Sequence, residues 1–352
     1  MSPFLYELLR TPSPSGFEAP GQRVWAGYVR EVADRVESDT YGSAWAVLDG
    51  HDDVPSLLLE AHADEIGLII QHVTDAGFLR INRIGGSDRA IARAKRVVIL
   101  GDNGPVRGVV GNTAIHIRDT KDEKAPEWHE LFVDVGASDK AGVTALGLRV
   151  GHPAVYADEP ELLNEHHLVG RALDNRIGGY IIAEALRRLA GDWPAGTVTA
   201  LNSVQEEIGG HGATMAAYRL RPAVALVVDV THATDTPGVS QAKHGDVKLG
   251  AGPTLTHGTA NHPHVVRRLM ALAEQEGIAI QHEASSRYTG TDTDSIFRSR
   301  TGIASALISL PMRYMHSTVE TVDLRDVDAC IRLMAAFAKS LKAGDTFGID
   351  LG

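Results

Sequence analysis

Short apolar runs, each closed by a polar or glycine-rich turn, set the rhythm of this chain. Leu57, Leu58 and Leu59 form one bounded run that ends near His62 and fits a buried strand. Before it, "TPSPSG" is a loop with Ser15 as a cap. Residues 18–35 then show helical spacing, with Val24, Tyr28, Val29 and Val32 on one stripe. The texture changes at about Gly67. As far as about Glu165 the chain is a series of β-like runs, "GLIIQHV", "FLRINRI", "RVVIL", "PVRGVVG" and "LFVDVG", cut by turns such as "TDAG" and "GDNG". After "VGRALDNRIGG" an alternation of helices and strands takes over. "GGYIIAEALRRLA" reads as a helix with Ile181, Ala185 and Leu189 on one face, and "GTVTALNSVQEE" as a strand. "GATMAAYRL" is a helix, "AVALVVDV" a strand ending at Asp229, and "PHVVRRLMALAEQEG" a helix with a glycine stop. "GIASALISL" is a further strand, and a helix near 326–342 closes the chain. The pattern predicts an α/β domain over 1–66 and 166–352, its sheet sandwiched by helices, with a small β-rich domain inserted at 67–165.

Composition narrows the chemistry. The chain has 352 residues, 43% of them hydrophobic, which suffices for a large core plus a smaller domain. Its formal charge of −11 and lack of a long Lys/Arg block argue against nucleic-acid and anionic-membrane partners. The single cysteine, Cys330, sits in a helical pattern and reads as a small buried apolar residue. "MSPFLYELLRTPSPSG" has no basic segment followed by a long apolar one, and no run approaches the roughly 20 apolar residues of a membrane span. A cytoplasmic protein is expected.

Acids and histidines gather where the predicted strands end. His62 and Asp64 close the first strand in "EAHADEIG", and Asp174 lies in "RALDNRIGG" just before a helix. Glu206 and Glu207 follow "LNSV", Asp229 ends "AVALVVDV" with His232 three residues on, and His316 follows "ALISLPMRYM". In open α/β sheets ligands bind beyond the carboxyl ends of the strands. Converging acids there are costly unless a cation sits between them. A mixture of imidazoles and carboxylates suits Zn²⁺, Co²⁺ or Mn²⁺ better than Ca²⁺ or Mg²⁺. Five or six ligands are too many for one tetrahedral ion and about right for two ions sharing a carboxylate. One of the adjacent glutamates then ligates while its neighbour moves a proton.

The motifs "AHADEIG", "RALDNRIGG", "SVQEEIGGHGA", "VVDVTHATDTPG", "TGTDTD" and "RYMHSTVE", in this order, resemble the M42 metallo-aminopeptidases. The likeness runs nearly end to end and includes "LFVDVGAS", "LGLRVGHPAVY" and "GAGPTL". It implies a mixed sheet of the zinc-peptidase type and a PDZ-like inserted domain used for assembly into a homo-oligomer, a dimer or a tetrahedral dodecamer. It implies two divalent ions (Zn²⁺ or Co²⁺, or Mn²⁺), with His62, Asp229 and His316 as ligands, Asp174 bridging and Glu207 completing one ion. Glu206 is then the general base, and Asp64 fixes the His62 tautomer. Two departures stand out: His211 replaces an expected Arg, and Thr293 an expected Ala.

The expected reaction is release of N-terminal residues from short peptides with a free amine. Two rivals are a glycosidase and a non-catalytic, metal-stabilised assembly protein. Aromatics at 5% and the dominance of metal-type ligands weigh against the first; an intact Glu206 weighs against the second. His232 is read as a neighbour of the ligands rather than one of them, and His211 and His244 as pocket-edge or surface residues. Asp292 either lines the substrate pocket or caps its loop. His166 and His167, and the arginines of "RRL" (187–189) and "RRLM" (267–270), are read as surface.

Overall fold

The computed structural model describes residues 1–118 and 124–352. Two bodies of structure emerge. The larger is an 11-stranded mixed sheet packed between helices; the smaller is a closed six-stranded antiparallel barrel, made of strands lying between Gly67 and Tyr156. Among the described residues no helix is long and apolar enough to cross a membrane.

Four parallel strands form the centre of the sheet: Val198–Ser203, Leu57–His62, Val224–His232 and Ala304–Arg313, side by side in that order. Both faces are buried, so these strands read as nearly continuous apolar runs. Their two-residue period still sorts the side chains. Leu57, Leu59 and Ala61 face the core shared with the helices Leu173–Ala190 and Leu324–Ser340, whereas Leu58 faces the one that holds Ala213, Ala216 and Ala217 of the helix His211–Leu220. Parallel register sets Ser203 beside His62 and Asp229 beside Ser309, so the carboxyl ends of all four strands share one edge. The barrel has its own core, with Leu68, Ile70, Leu79, Ile81, Val97, Ile99 and Val133 among its members.

Several elements depart from expectation. The helix predicted over 18–35 stops at Val29, and Arg35–Ser38 instead pairs antiparallel with Ala44–Leu48, where ladder hydrogen bonds outweigh local helical spacing. Ser15 does not cap that helix: Glu18 holds the cap position, and the Ser15 hydroxyl donates to Asp64 (2.6 Å), a buried charged acceptor. Glu161–Leu162 pairs with His167–Gly170 and belongs to the large sheet, although it falls in the segment read as inserted. His167 is half-buried and approaches Asp323 (3.5 Å). Arg268 also does more than face solvent, pairing with Asp345 (2.8 Å) and lying over the Phe337 and Phe347 rings. Cys330 is buried, as its pattern suggests.

Glu65 ties the N-terminal segment to the main body. Its carboxylate accepts from Ser13 N (2.9 Å) and from the Arg171 guanidinium, and lies 3.6 Å from Arg176. All three charged side chains are buried. Removing one member of such a group leaves uncompensated charge in a low-dielectric interior. Glu65→Ala is therefore expected to cost about 3–5 kcal/mol of stability, read as the shift of a denaturant midpoint at constant slope; an unshifted midpoint contradicts the arrangement.

Candidate active site

The site is built at the edge where the central strands end. His62 is the last residue of its strand and is buried. Its Nε2 lies 3.2 Å from Asp174 Oδ1 and 3.7 Å from Asp229 Oδ1, with Glu206 Oε2 at 3.8 Å. Its other nitrogen, Nδ1, faces Asp64 Oδ1 (3.4 Å) and the Asp64 carbonyl oxygen (3.2 Å). His316 mirrors this on the far side. Its Nε2 is 3.4 Å from Asp174 Oδ2 and 3.5 Å from Glu207 Oε2, while Nδ1 lies 3.2 Å from the Gly86 carbonyl oxygen. Asp174 thus presents one oxygen to each imidazole. Two groups of potential donor atoms result, His62–Asp174–Asp229 and Asp174–Glu207–His316, each with its atoms within 4.8 Å of one another.

Buried supports aim these side chains. Asp174 lies at the irregular start of the helix Leu173–Ala190, where its own φ/ψ are not helical. Glu320 accepts from Asp174 N (3.1 Å) and from His316 N (2.9 Å), so one carboxyl group holds the backbone of both residues. Asp64 does the same for the paired glutamates, accepting from Glu206 N (3.0 Å) and Glu207 N (3.2 Å). Glu18 adds a third such bond, from Gln205 N (3.2 Å). Three successive backbone N–H groups are therefore taken up by carboxyl groups, around Gln205 in the left-handed region at φ +61°. Beneath His62, Ser203 Oγ lies 2.8 Å from both Glu60 Oε1 and Asp292 Oδ2, which joins two buried acids.

The barrel supplies part of the wall. A Cβ on Gly86 would lie 2.3 Å from His316 Nδ1, and one on Gly85 (φ +64°) 3.1 Å from Glu207 Cβ. Side chains are excluded there so that the turn after the strand Leu79–Ile84 can lie against the site. Above it opens a cleft of about 610 Å³, lined by His232, Thr231, Asp294, Arg298 and Met315 as well as by the donor groups.

Like charge dominates the electrostatics. Burial, then the charges of Asp229, Asp292 and Asp174, push the Glu206 carboxyl up to about 9 despite the opposing pull of His62. Burial and the Asp174 charge push Glu207 well up, and burial raises Asp229. Burial alone would raise Asp174 too, but its bonds to His316 and His62 hold it well below the usual carboxylate range. Burial lowers His62, yet bonds to Asp174, Asp229 and Asp64 leave it well above its ordinary value; the bond to Asp174 raises His316. The donor set fits divalent ions on the structure's own terms. It mixes imidazole with carboxylate, and the buried Glu207 Oε1 has no hydrogen-bond partner.

All seven predicted site residues, His62, Asp64, Asp174, Glu206, Glu207, Asp229 and His316, meet here. His232 lines the cleft but belongs to neither donor group. Asp292 is buried under the site, paired through Ser203 rather than lining the cleft. His211 and His244 are exposed. Sequence reasoning missed Glu18, Glu60 and Glu320. For Glu60 a signal existed, since an acid inside "LLLEAH" interrupts a buried apolar strand.

A parallel-centred α/β sheet with a two-lobed set of metal-type donors at its strand ends defines a hydrolase-like α/β protein with a candidate dinuclear centre. The family model for M42 glutamyl aminopeptidase matches residues 42–333, and the chain belongs to the M42 peptidase family. It is 35% identical over 342 residues to the lysyl aminopeptidase of Pyrococcus furiosus, covering 96% of this chain and 97% of that one. Its structure is similar to the aminopeptidase APDkam598 of Desulfurococcus kamchatkensis (TM-score 0.90, 36% identity, 96% and 93% covered). It is also similar to the TET1 peptidase of Pyrococcus horikoshii, described as assembling into a tetrahedron or a large octahedral shell (TM-score 0.86, 29% identity, 96% and 98% covered).

The raised groups make metal-free stability dependent on pH. The unfolded chain ionises Glu206 from about 4.5, whereas the fold keeps its proton to about 9. The folded state then binds more protons, so stability falls as pH rises between those values. The raised histidines act in the same direction, their contribution present below their ordinary value of 6.5 and lost as pH passes their folded values. Metal-free protein is expected to melt at progressively lower temperature between about pH 6 and about pH 9. Added Zn²⁺ should flatten that slope and release protons on binding. Melting curves across this range with chelator or Zn²⁺, and calorimetric titrations in two buffers of different ionisation enthalpy, check both.

Proposed function

We propose that this protein is a metal-dependent aminopeptidase that removes N-terminal residues from short peptides. The observation that carries the reading is Asp174, one carboxylate shared between His62 and His316 in a chain of the M42 family. His62 and Asp229 would hold one ion and His316 and Glu207 the other, with Asp174 common to both. Zn²⁺, Co²⁺ and Mn²⁺ suit this donor set. Bound there, the two ions supply Lewis acidity toward water and toward a carbonyl oxygen.

The chain's own groups carry the rest. Glu206 is the general base: its Oε2 reaches toward His62 Nε2 and the shared space, yet neither donor group needs it. It takes a proton from the attacking water and returns it to the departing amine. A metal site kept only for stability would leave this buried carboxyl without work. Asp64 fixes the His62 ring through Nδ1 and, through two backbone bonds, the aim of Glu206. Glu206 and Asp294, acids that line the cleft outside both donor groups, suit a free α-ammonium better than an acylated terminus. The barrel within residues 67–165 is the inserted domain in this reading, PDZ-like in role. Val109, Ile115, Ile117 and Val150 are exposed apolar side chains on it, which supports assembly of like subunits, as dimers or as a larger shell.

The test is an assay of protein loaded with Zn²⁺, Co²⁺ or Mn²⁺ on aminoacyl-coumarin amides with free or acetylated amines, with a chelator control. Metal-dependent release from free amines alone is expected. Glu206→Gln should retain two ions by elemental analysis while turnover falls about 10²–10⁴-fold. A fully active variant overturns the base assignment, and metal-loaded protein silent on every substrate overturns the enzyme reading.

A further inference from the structure

The cleft over the candidate metal centre has a neighbouring cavity on the barrel. Gly86, which faces His316 through its carbonyl oxygen, also lines a second cavity of about 680 Å³ on the surface of the barrel. Asn82, Arg83, Ser87, Asp88, Arg89 and Trp128 complete that cavity. The two spaces meet at a residue with no side chain, and no side chain fits there: a Cβ on Gly86 would press on the His316 ring. Gly86 lines both cavities, so they adjoin at this turn.

The charges of the second cavity are unevenly used. Asp88 caps the short helix Arg89–Ala92 by accepting from Ala90 N (2.8 Å). Arg89 is ion-paired with Glu127. The exposed Arg83 has no acidic partner among the described residues, and Trp128 adds a half-buried ring to the same wall. The groove thus offers one unneutralised guanidinium beside an aromatic surface, next to the cleft that holds the donor groups. A peptide whose N-terminal residue occupies the cleft carries its carboxylate at the other end. Arg83 attracts that carboxylate.

We infer that the groove over Gly86 receives the downstream residues of a short peptide, with Arg83 binding its C-terminal carboxylate. The inference rests on the aminopeptidase reading and names the substrate class of that site: peptides of a few residues with a free carboxyl end. Each extended residue spans about 3.3–3.6 Å, so a carboxylate several residues past the scissile bond reaches Arg83 better than that of a dipeptide. The barrel is then part of the substrate site, in addition to any part it plays in assembly.

The experiment compares metal-loaded wild type, Arg83→Ala, Arg83→Lys and Arg298→Ala. The substrates are a dipeptide and a tetrapeptide, each as free acid and C-terminal amide, with an aminoacyl-coumarin amide as the tail-free reference. Wild type should prefer the tetrapeptide acid over its amide by about threefold to tenfold in kcat/KM, through KM, as suits an exposed ion pair. Raised salt should reduce the preference. Arg83→Ala should bring the ratio close to one, and Arg83→Lys should restore part of it. A ratio that survives in Arg83→Ala, or that disappears only in Arg298→Ala, overturns the inference while leaving the aminopeptidase reading intact. Wild type inactive even on the coumarin reference overturns both.

Discussion

The site depends on a surplus of buried negative charge. Four carboxyl groups, those of Asp174, Glu206, Glu207 and Asp229, share one small space with two imidazoles. Four more, on Glu60, Asp64, Asp292 and Glu320, lie buried directly beneath. Isolated charges are not left in protein interiors; they are paired, coordinated or neutralised by protons. Without a cation, protons do the work, which is why Glu206, Glu207 and Asp229 all hold them more tightly than usual. Of the four in the shared space, Asp174 alone is held below the usual carboxylate range, because it alone lies between both histidines. The same repulsion is what a divalent ion held between these groups would relieve.

Such a cluster needs a scaffold that cannot relax to spread its charges. Four parallel strands buried on both faces supply it, and their register decides which side chains meet. The aim is set a layer further out, by carboxyl groups that bind backbone rather than metal. Glu320 holds the N–H groups of Asp174 and His316, Asp64 those of Glu206 and Glu207, and Glu18 that of Gln205. Two of the residues so held, Gln205 and His316, are non-glycine residues in the left-handed region, at φ +61° and +60°. Each costs about 1–3 kcal/mol and persists because the surrounding bonds over-determine it.

Legibility in the sequence followed the same division. His62, Asp229, Glu206 and His316 stood out because each closes or follows a run whose apolar pattern marks a buried strand, and strand ends in such sheets point to one crevice. Asp174 was visible from its glycine-flanked place before a helix and from the family motif. Among the supporting acids Asp64 was legible, and Glu18 and Glu320 were not. Glu18 binds the backbone of Gln205 and Glu320 that of Asp174, both far away in sequence, and nothing in local pattern reports those bonds. Ser15 looked like a helix cap because a serine before a helical stripe usually is one, and only the fold brings Asp64 within reach of its hydroxyl. The end of the predicted helix at 18–35 was lost for a similar reason, since pairing with Ala44–Leu48 is a long-range matter. The paired acids Glu60 and Asp292 are 232 positions apart, which the site's own strand order brings together.

The barrel's place in the chain has a consequence for the chemistry. It begins at Gly67, just after Asp64 and Glu65, and its first and last strands pair with each other at Leu68 and Ala154. Pro14, next to the Ser15 that serves Asp64, packs where a Cβ on Gly67 would lie. On its other flank Lys95 donates to Thr318 Oγ1 (2.5 Å), two residues beyond His316. The turn at Gly85 and Gly86 then lies against Glu207 and His316 with no room for a side chain. A rotation of the barrel would therefore displace one lobe of the donor set, His316 and Glu207, more than the other, because His62 and Asp229 are fixed in the sheet. A force on the barrel would reach the site through this asymmetric contact.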